Sequence, residues 1–117
     1  MSVPADLQQR MAALAAAART DRIADWNGSV QIVVGGAGWV TCLVDGSGVR
    51  LAEPGTDAAT TLQVTSAEAV RRWLVAGVDF THLVASGDFA IEGVYLDVLL
   101  PSKALGLRPD RNRSASR

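Results

Sequence analysis

Apolar residues recur along the chain with two different periods, and the change of period separates helices from strands. The first apolar residues are spaced by four, three and four positions, as on one face of a helix: Leu7, Met11, Leu14 and Ala18. Pro4 fits the first turn, where its missing N–H is not needed. The pattern predicts a helix from Pro4 to about Arg22.

Short β-branched segments come next, and they are predicted to be four strands: Ser29–Val34, Trp39–Val44, Val49–Glu53 and Thr60–Val64. The segment Gly35-Gly36-Ala37-Gly38 separates the first two strands, and Asp45-Gly46 is a strong hairpin signal between the second and the third. Pro54-Gly55 closes the third strand. Consecutive strands joined by short turns predict an antiparallel meander.

Two helix starts are marked in the second half of the chain. Thr65 and Glu68 form a capping box, with threonine at the N-cap and glutamate three residues later. The helix that follows ends near Gly77, a residue free to adopt positive φ. Asp79 is predicted to cap a second, short helix that ends at Gly87.

The last apolar segments combine one strand and one helix. Asp88–Glu92 alternates apolar and polar residues as a fifth strand does. Residues 94–100 fit either a strand or a helix, and helical spacing is preferred for three of them: Leu96, Leu99 and Leu100. Pro101 is expected to kink or restart that helix.

The resulting order of elements is α-β-β-β-β-α-α-β-α, which lacks the strand–helix alternation of nucleotide-binding folds. It predicts an α+β fold: a five-stranded, mainly antiparallel sheet with the helices packed on one face. Residues 1–107 form the predicted domain. Residues 108–117 are rich in Arg and Ser, carry a net charge of +3 and are expected to be a disordered tail.

Composition restricts the partners and the location of the protein. Hydrophobic residues make up 49% of the chain and its net charge is -1, which argues against nucleic-acid binding. The longest apolar stretch, Met11–Ala18, is too short to cross a bilayer. Asp6 precedes it, where a secretory signal would carry positive charge, so a cytoplasmic location is expected. Arg71, Arg72 and the arginine tail leave transient contact with anionic membranes open.

The residues that could support catalysis or bind a metal are few. Cys42 lies within an apolar strand and is read as a buried structural residue. His82 has no evident nucleophile or orienting partner. The nearest group of carboxylates, which is expected to face solvent, comprises Asp88, Glu92 and Asp97. No catalytic residue, metal site or cofactor is therefore predicted.

The glycines between the first two predicted strands do not form a dinucleotide-binding loop. Gly36-Ala37-Gly38 would need a third glycine where Thr41 stands. A strand also follows this loop, whereas phosphate binding requires the N-terminus of a helix there. A hairpin turn is the preferred interpretation.

Several segments together resemble the sterol-carrier-protein-2-like (SCP2-like) lipid-transfer domains. The resemblance runs through residues 30–34 and 39–46, then residues 59–66 leading into a helix with Trp73, Leu74 and Gly77. It ends with the glycine–strand–glycine segment Ser86–Gly93 and covers roughly residues 5 to 107 of the chain. The family implies an apolar tunnel between sheet and helices for a fatty acid, a sterol or acyl-CoA, with no catalytic residues in the isolated domain. Pro101 departs from a regular terminal helix.

The residues expected to line such a tunnel come from the strand faces and the later helices: Val30, Ile32, Val34, Trp39, Leu43, Leu62, Trp73, Leu74, Leu83, Phe89, Ile91, Leu96, Leu99 and Leu100. The alternative is a filled core in a non-catalytic interaction module. Once one face of the first two strands is assigned to the core, four apolar residues remain on the other face: Val33, Val40, Cys42 and Val44. Their exposure would favour a homodimer packed sheet on sheet.

Overall fold

The computed structural model describes residues 3–18 and 26–107. The helices are α1 (Ala5–Ala16), α2 (Ala67–Leu74), α3 (Phe80–Ala85) and α4 (Leu96–Ala104). The strands are β1 (Gly28–Val34), β2 (Ala37–Asp45), β3 (Gly48–Ala52), β4 (Thr60–Val64) and β5 (Phe89–Glu92). In this part of the chain the predicted α+β order is confirmed. The predicted tail, residues 108–117, lies outside the described residues.

The strands form one mixed sheet in the order β3-β2-β1-β4-β5. Three neighbouring pairs are antiparallel, whereas β1 and β4 are parallel, with Val30 opposite Thr60 and Val34 opposite Val64. The mainly antiparallel sheet is confirmed. The expected four-stranded meander is wrong for β4, which passes β3 and β2 to pair with the far edge of β1.

The connection between β3 and β4 explains this topology. It begins beside Thr41, whose hydroxyl donates to the Glu53 carbonyl oxygen at 3.0 Å, and ends where the Ala59 N–H donates to Ser29 Oγ at 3.1 Å. Along the way Pro54 passes so close to Gly38 that an added Cβ there would lie 2.8 Å from the proline Cβ. The connection therefore lies across β2 and β1, which a turn-based reading of the sequence cannot anticipate.

Strand register decides which side chains of β2 meet the helices. Residues paired across neighbouring strands point to the same face, and Val40 and Cys42 pair with Ile32 and Val30 on the face that the helices cover, here called the core face. Val44 follows on the same face, and these three β2 residues are buried. The expectation that these three residues remain on the second face is wrong. Val33 pairs with Gln63 and is half-buried, and the sheet-on-sheet dimer stays a prediction.

Leu43 and Trp39 were expected to share the core face, but a bulge separates them. Leu43 pairs with Ser29 and lies half-buried on the opposite, outer face, so its predicted placement is wrong. Between Ile32 and Val33 the register slips, and Trp39 is the extra residue in β2. Trp39 is half-buried against the core. The alternation of residues along the sequence, read without interruption, gives no sign of such an inserted residue.

Apolar packing and a side-chain hydrogen bond both hold helix α1 against the rest of the domain. Its buried side packs on β3 and α2 through Leu7, Met11 and Ala15. Arg10 Nε donates to the Leu74 carbonyl oxygen at 3.0 Å, which satisfies a carbonyl at the end of α2. The helix ends at Ala16, before the predicted boundary near Arg22, and residues 19–25 lie outside the described residues.

The cap of α2 lies one residue later than predicted. Ser66, in an extended conformation, accepts a hydrogen bond from the Ala69 N–H at 3.3 Å, so serine rather than Thr65 is the N-cap. Thr65 instead extends the strand pairing, and its N–H donates to the Asp88 carbonyl oxygen at 3.0 Å. Asp79 caps α3 as predicted, accepting from the Thr81 N–H at 2.9 Å.

Candidate ligand-binding site

Most of the residues predicted to line a tunnel meet in one apolar cluster between the core face and the helices. Those that are buried are Val30, Ile32, Val34, Leu62, Trp73, Leu74, Leu83 and Phe89. Four more are half-buried and pack against the cluster: Trp39, Ile91, Leu99 and Leu100. The structure therefore brings these residues together.

Two predicted residues lie elsewhere. Leu43 is on the outer face of the sheet, as described above. Leu96 is the first residue of α4 and its side chain is 50% exposed, because the buried side of this helix is formed by Val98 and Pro101. The spacing that joined Leu96 to Leu99 and Leu100 is helical, but Leu96 lies on the outward side of α4, whereas Leu99 and Leu100 pack against the edge of the core.

Several buried residues of the same cluster were not among the ligand-binding residues predicted from the sequence. Leu7 and Met11 on α1 are almost completely buried in the same cluster, as are Val70 of α2, Phe80 of α3 and Val98 of α4. The apolar stripe of α1 was the available signal. It showed that α1 has one buried face but not that this face closes the same space as the later helices.

An aromatic row leads from the core to the surface. The Trp73 and Phe89 rings meet nearly at right angles with centroids 5.2 Å apart, a favourable edge-to-face arrangement. Phe80 follows at 5.8 Å from Phe89, and Tyr95 at 5.7 Å from Phe80. Tyr95 is 42% exposed, so the row connects the centre of the cluster with solvent beside the start of α4.

Two polar atoms within the buried set have no hydrogen-bond partner: Trp73 Nε1 and Ser102 Oγ. Both residues are almost fully buried, at 3% and 1% exposure. Leaving such a group unpaired costs about 1–3 kcal/mol, and native proteins keep few of them. Among the residues that the structure describes, these two atoms are therefore polar groups of the interior whose hydrogen bonding is unsatisfied.

A hydrogen-bonded clip holds the start of α4 on β4. The buried Thr60 hydroxyl donates to Asp97 Oδ2 at 2.6 Å and accepts from the Val94 N–H at 3.0 Å. Gly93 makes the contact feasible, because a Cβ there would lie 2.5 Å from Thr60 Oγ1. The clip fixes the position of α4 over the sheet, where it packs on β1 and β4.

The other candidate residues for catalysis do not assemble. Asp88 pairs with Arg72 at 2.6 Å, and Glu92 accepts from Gln63 at 3.4 Å. Asp97 belongs to the Thr60 clip, and His82 is exposed on α3. Within residues 3–18 and 26–107, no three His, Cys, Asp or Glu side chains are grouped as a metal ion would require.

Cys42 is expected to be chemically inert in the folded protein. Burial raises the pKa of its thiol from 9.0 to about 12, and the thiolate is the reactive form. A thiol reagent at pH 8 should therefore leave Cys42 unmodified until denaturant is added, whereas an Ala90→Cys variant, altered at an exposed position, should react at once. Rapid modification of native Cys42 would contradict this placement.

The same burial couples stability to alkaline pH. The thiol ionises near pH 9 in the unfolded chain but stays protonated in the folded one. As pH rises above about 9 the unfolded state therefore loses a proton that the folded state retains, and the free energy of unfolding falls. Below about pH 9 this thiol contributes no pH dependence to the free energy of unfolding.

Two open clefts lie at the surface of the described chain. One, of about 360 Å³, is lined by Ser29, Asp57, Ala58 and Ala59. The other, of about 320 Å³, lies between the β1–β2 turn and the β4–β5 end of the sheet; it includes Gly35, Gln63, Thr65 and Gly87. None of the predicted ligand-binding residues lines either cleft. In the described ranges, no helix has the length and apolar character needed to span a membrane.

Comparison with protein-family models and with curated proteins finds no match by sequence. Solved structures do match. Palmitated SCP2L2 from Aedes aegypti is 15% identical with a TM-score of 0.63, covering 92% of this chain and 94% of that chain. Sterol carrier protein 2 is 14% identical with a TM-score of 0.55, covering 91% and 95%.

A third match is to part of a much larger enzyme. The sec-alkylsulfatase from Pseudomonas sp. is 13% identical with a TM-score of 0.60; the match covers 81% of this chain but only 15% of that chain. At such identities the likeness concerns the fold alone. Since the order of elements and the nearly full-length matches to sterol carrier structures agree, this chain has the SCP2-like fold.

Proposed function

We propose that this chain is a lipid-binding protein that holds one apolar ligand, a fatty acid, a sterol or acyl-CoA, between the core face and the helices. The observation that carries the proposal is the match over 92% of this chain to an SCP2-like domain whose solved form is palmitated. The role is one of binding, without catalysis. The cytoplasm is the proposed location.

The composition of the interior supports an apolar cargo. The side chains between the core face and the helices are aliphatic or aromatic, and the polar atoms without partners there are Trp73 Nε1 and Ser102 Oγ. Ligand pockets typically combine such walls with a few polar groups that fix orientation. A carboxyl or hydroxyl head group would supply the missing partner for Ser102 or Trp73.

The free energy gained by burying an acyl chain is large enough to alter the packing between the core face and the helices. Burying an acyl chain gains about 0.8 kcal/mol per methylene, so ten methylenes contribute about 8 kcal/mol. This is comparable with the entire stability of a typical domain, about 5–15 kcal/mol. A long acyl chain can therefore offset the separation of one helix from the sheet, whereas a short polar metabolite cannot.

Palmitate is the probe for the proposal. A ligand that binds only the folded state stabilises it by about 2.7 kcal/mol at a free concentration of 100 Kd, so the melting temperature of the delipidated protein should rise with palmitate. Native mass spectrometry should show one bound molecule per chain. If palmitate, cholesterol and palmitoyl-CoA all leave the melting temperature unchanged, the interior is a filled core and the proposal is wrong.

Ser102→Ala separates a ligand contact from a structural role. Removing an unpaired buried hydroxyl should leave the ligand-free protein at least as stable, while palmitate affinity falls roughly tenfold through the lost hydrogen bond. Thr41→Val is the matched control, since Thr41 is equally buried but bonded to Glu53 on the outer face. That variant should lose stability and keep its palmitate affinity.

A further inference from the structure

The two unpaired polar atoms of the interior restrict the chemistry of what can be bound beside them. Trp73 Nε1 carries a hydrogen and can only donate, whereas Ser102 Oγ can donate or accept. Trp73 lies on α2 and Ser102 on α4, and both side chains are almost fully buried. A ligand group that satisfies Trp73 must therefore offer an acceptor, such as an oxygen.

The polar residues buried in the described ranges are neutral. They are Thr41, Thr60 and Ser102, and none of them can carry a positive charge. Lys103 follows Ser102 directly, but consecutive helical residues diverge by about 100°, and Lys103 is only half-buried. The buried polar groups of the described chain thus offer hydrogen bonds without a counter-charge for an anion.

The arginines of the described chain lie at its surface. Arg71 and Arg72, on α2, each form an ion pair of 2.6 Å with a partly exposed carboxylate, and their own side chains are 40% and 36% exposed. Arg10 and Arg50 are exposed residues of α1 and β3. An anionic group next to Trp73 or Ser102 would therefore be separated from these cations.

Desolvation then decides between charged and neutral head groups. A carboxylate moved out of water without a counter-ion takes up a proton instead, because burial raises its pKa by as much as about 3–5 units. An ester, a ketone or an alcohol has no charge to lose and can still accept the indole hydrogen bond. Neutral head groups consequently lose much less hydration free energy on entering this interior.

We infer that the cargo binds with its oxygen-bearing end inward and uncharged, so that the interior selects neutral oxygenated lipids over lipid anions. The inference rests on the proposed function, since it concerns the same interior, and it narrows the class of cargo. A fatty acid enters as the protonated acid. Acyl-CoA must leave its charged part in solvent.

Binding of palmitate and methyl palmitate to the delipidated chain tests the inference through pH. An acid that is ionised in water but protonated when bound takes up a proton, so its apparent Kd should rise about tenfold per pH unit above its usual pKa, until the bound acid also ionises. Palmitate should therefore bind at least about tenfold more weakly at pH 7 than at pH 5.5. Calorimetry in buffers of different ionisation enthalpy should show about one proton taken up per palmitate.

Methyl palmitate controls for titration of the protein itself, and its affinity should not change over the same pH range. If palmitate binding is as insensitive to pH as binding of the ester and takes up no proton, the carboxylate remains charged when bound. That result overturns the inference while cargo binding stands. If neither lipid binds, the proposed function fails together with the inference.

Removal of both polar atoms tests which end of the cargo lies inward. From one cyclodextrin solution, the chain takes up methyl palmitate and octadecane, an alkane of similar length without an oxygen, in a certain ratio. In the double variant Trp73→Phe/Ser102→Ala this ratio should fall at least about tenfold, because the buried hydrogen bonds to the ester are lost. Changes in core packing affect both ligands and cancel in the ratio.

Val70→Ala is the matched control. Val70 is completely buried on α2, like Trp73, so its truncation loosens the same core but removes no polar atom. The ratio of ester to alkane should equal that of the unaltered chain. An unchanged ratio in the double variant, or an equal fall in Val70→Ala, would show that the oxygen-bearing end does not reach Trp73 or Ser102 and would overturn the inference.

Discussion

Replacing Phe80 by alanine is expected to lower the free energy of unfolding by about 3–5 kcal/mol, a large part of the stability of a domain of this size. Phe80 is 1% exposed and lies in the middle of the aromatic row, between Phe89 and Tyr95. Its removal would leave a cavity where α3 meets β5, because the neighbouring rings are held by different elements. Denaturant titration measures the loss.

Tyr95→Ala is the companion variant. Tyr95 makes a ring contact with Phe80 of nearly the same length but is 42% exposed. Its truncation should cost at most about 1.5 kcal/mol, since little buried surface is lost and water fills the space. Equal losses in the two variants would show that Phe80 does not occupy the core position described.

Gly93→Ala is expected to lower the free energy of unfolding by about 2–6 kcal/mol through two additive effects. The backbone at Gly93 has φ 135°, which L-residues rarely adopt, and the new Cβ would lie 2.5 Å from Thr60 Oγ1 and 3.0 Å from Thr60 Cα. The backbone contact cannot be relieved by rotating a side chain. The clip from Thr60 to Asp97 and Val94 should therefore break, and amide exchange in the first turn of α4 should accelerate.

Gly36→Ala controls for backbone strain alone. Gly36 also has positive φ, 86°, but a Cβ there would meet no heavy atom within 4 Å. Its cost should be about 1–2 kcal/mol, with α4 exchange unchanged. If Gly36→Ala and Gly93→Ala destabilise equally, close approach to Thr60 is not what makes Gly93 necessary.

Local signals were enough to predict the elements, because each signal acts within a few residues. Asp79 caps α3 by bonding a backbone N–H two residues away, and the two-glycine turn joins β1 and β2 with positive φ at both residues. The cap of α2 shows the precision of this reading: Thr65 and Ser66 are both good caps, and only the pairing of Thr65 with Asp88 decides between them.

The arrangement of the elements depended on contacts that sequence patterns do not encode. Nothing near Thr60 indicates that β4 pairs with Val30, some thirty residues earlier, because the choice depends on where residues 53–59 cross the sheet. The bulge inserts Trp39 as an extra residue in β2, so Trp39 and Leu43 do not lie on the same face as simple alternation predicts. For this reason Leu43 was predicted on the wrong face. Burial on each side of α4 likewise depends on the Thr60 clip.

The placement of the predicted ligand-binding residues succeeded or failed for the same reason, which is whether the sequence pattern shows the inward side of each element. Residues of the parallel pair and of α2 could be assigned to the interior because their strands and helices each have one consistently apolar face. Leu96 could not be placed correctly, because α4 is apolar on two sides and spacing alone does not say which side is inward. Ser102 carried no signal at all, since a serine in a helix is ordinarily a surface residue.

The parallel pairing of β1 with β4 also has a consequence for synthesis of the chain. Residues 28–52, which form the β1–β2–β3 hairpins, emerge from the ribosome before residues 60–64 of β4 do. Until β4 arrives, the second edge of β1 presents unpaired backbone groups next to Val30, Ile32 and Val34. During that interval the nascent chain exposes an apolar, aggregation-prone strand edge that will later lie in the middle of its sheet. At this edge, pairing between neighbouring nascent chains would compete with folding.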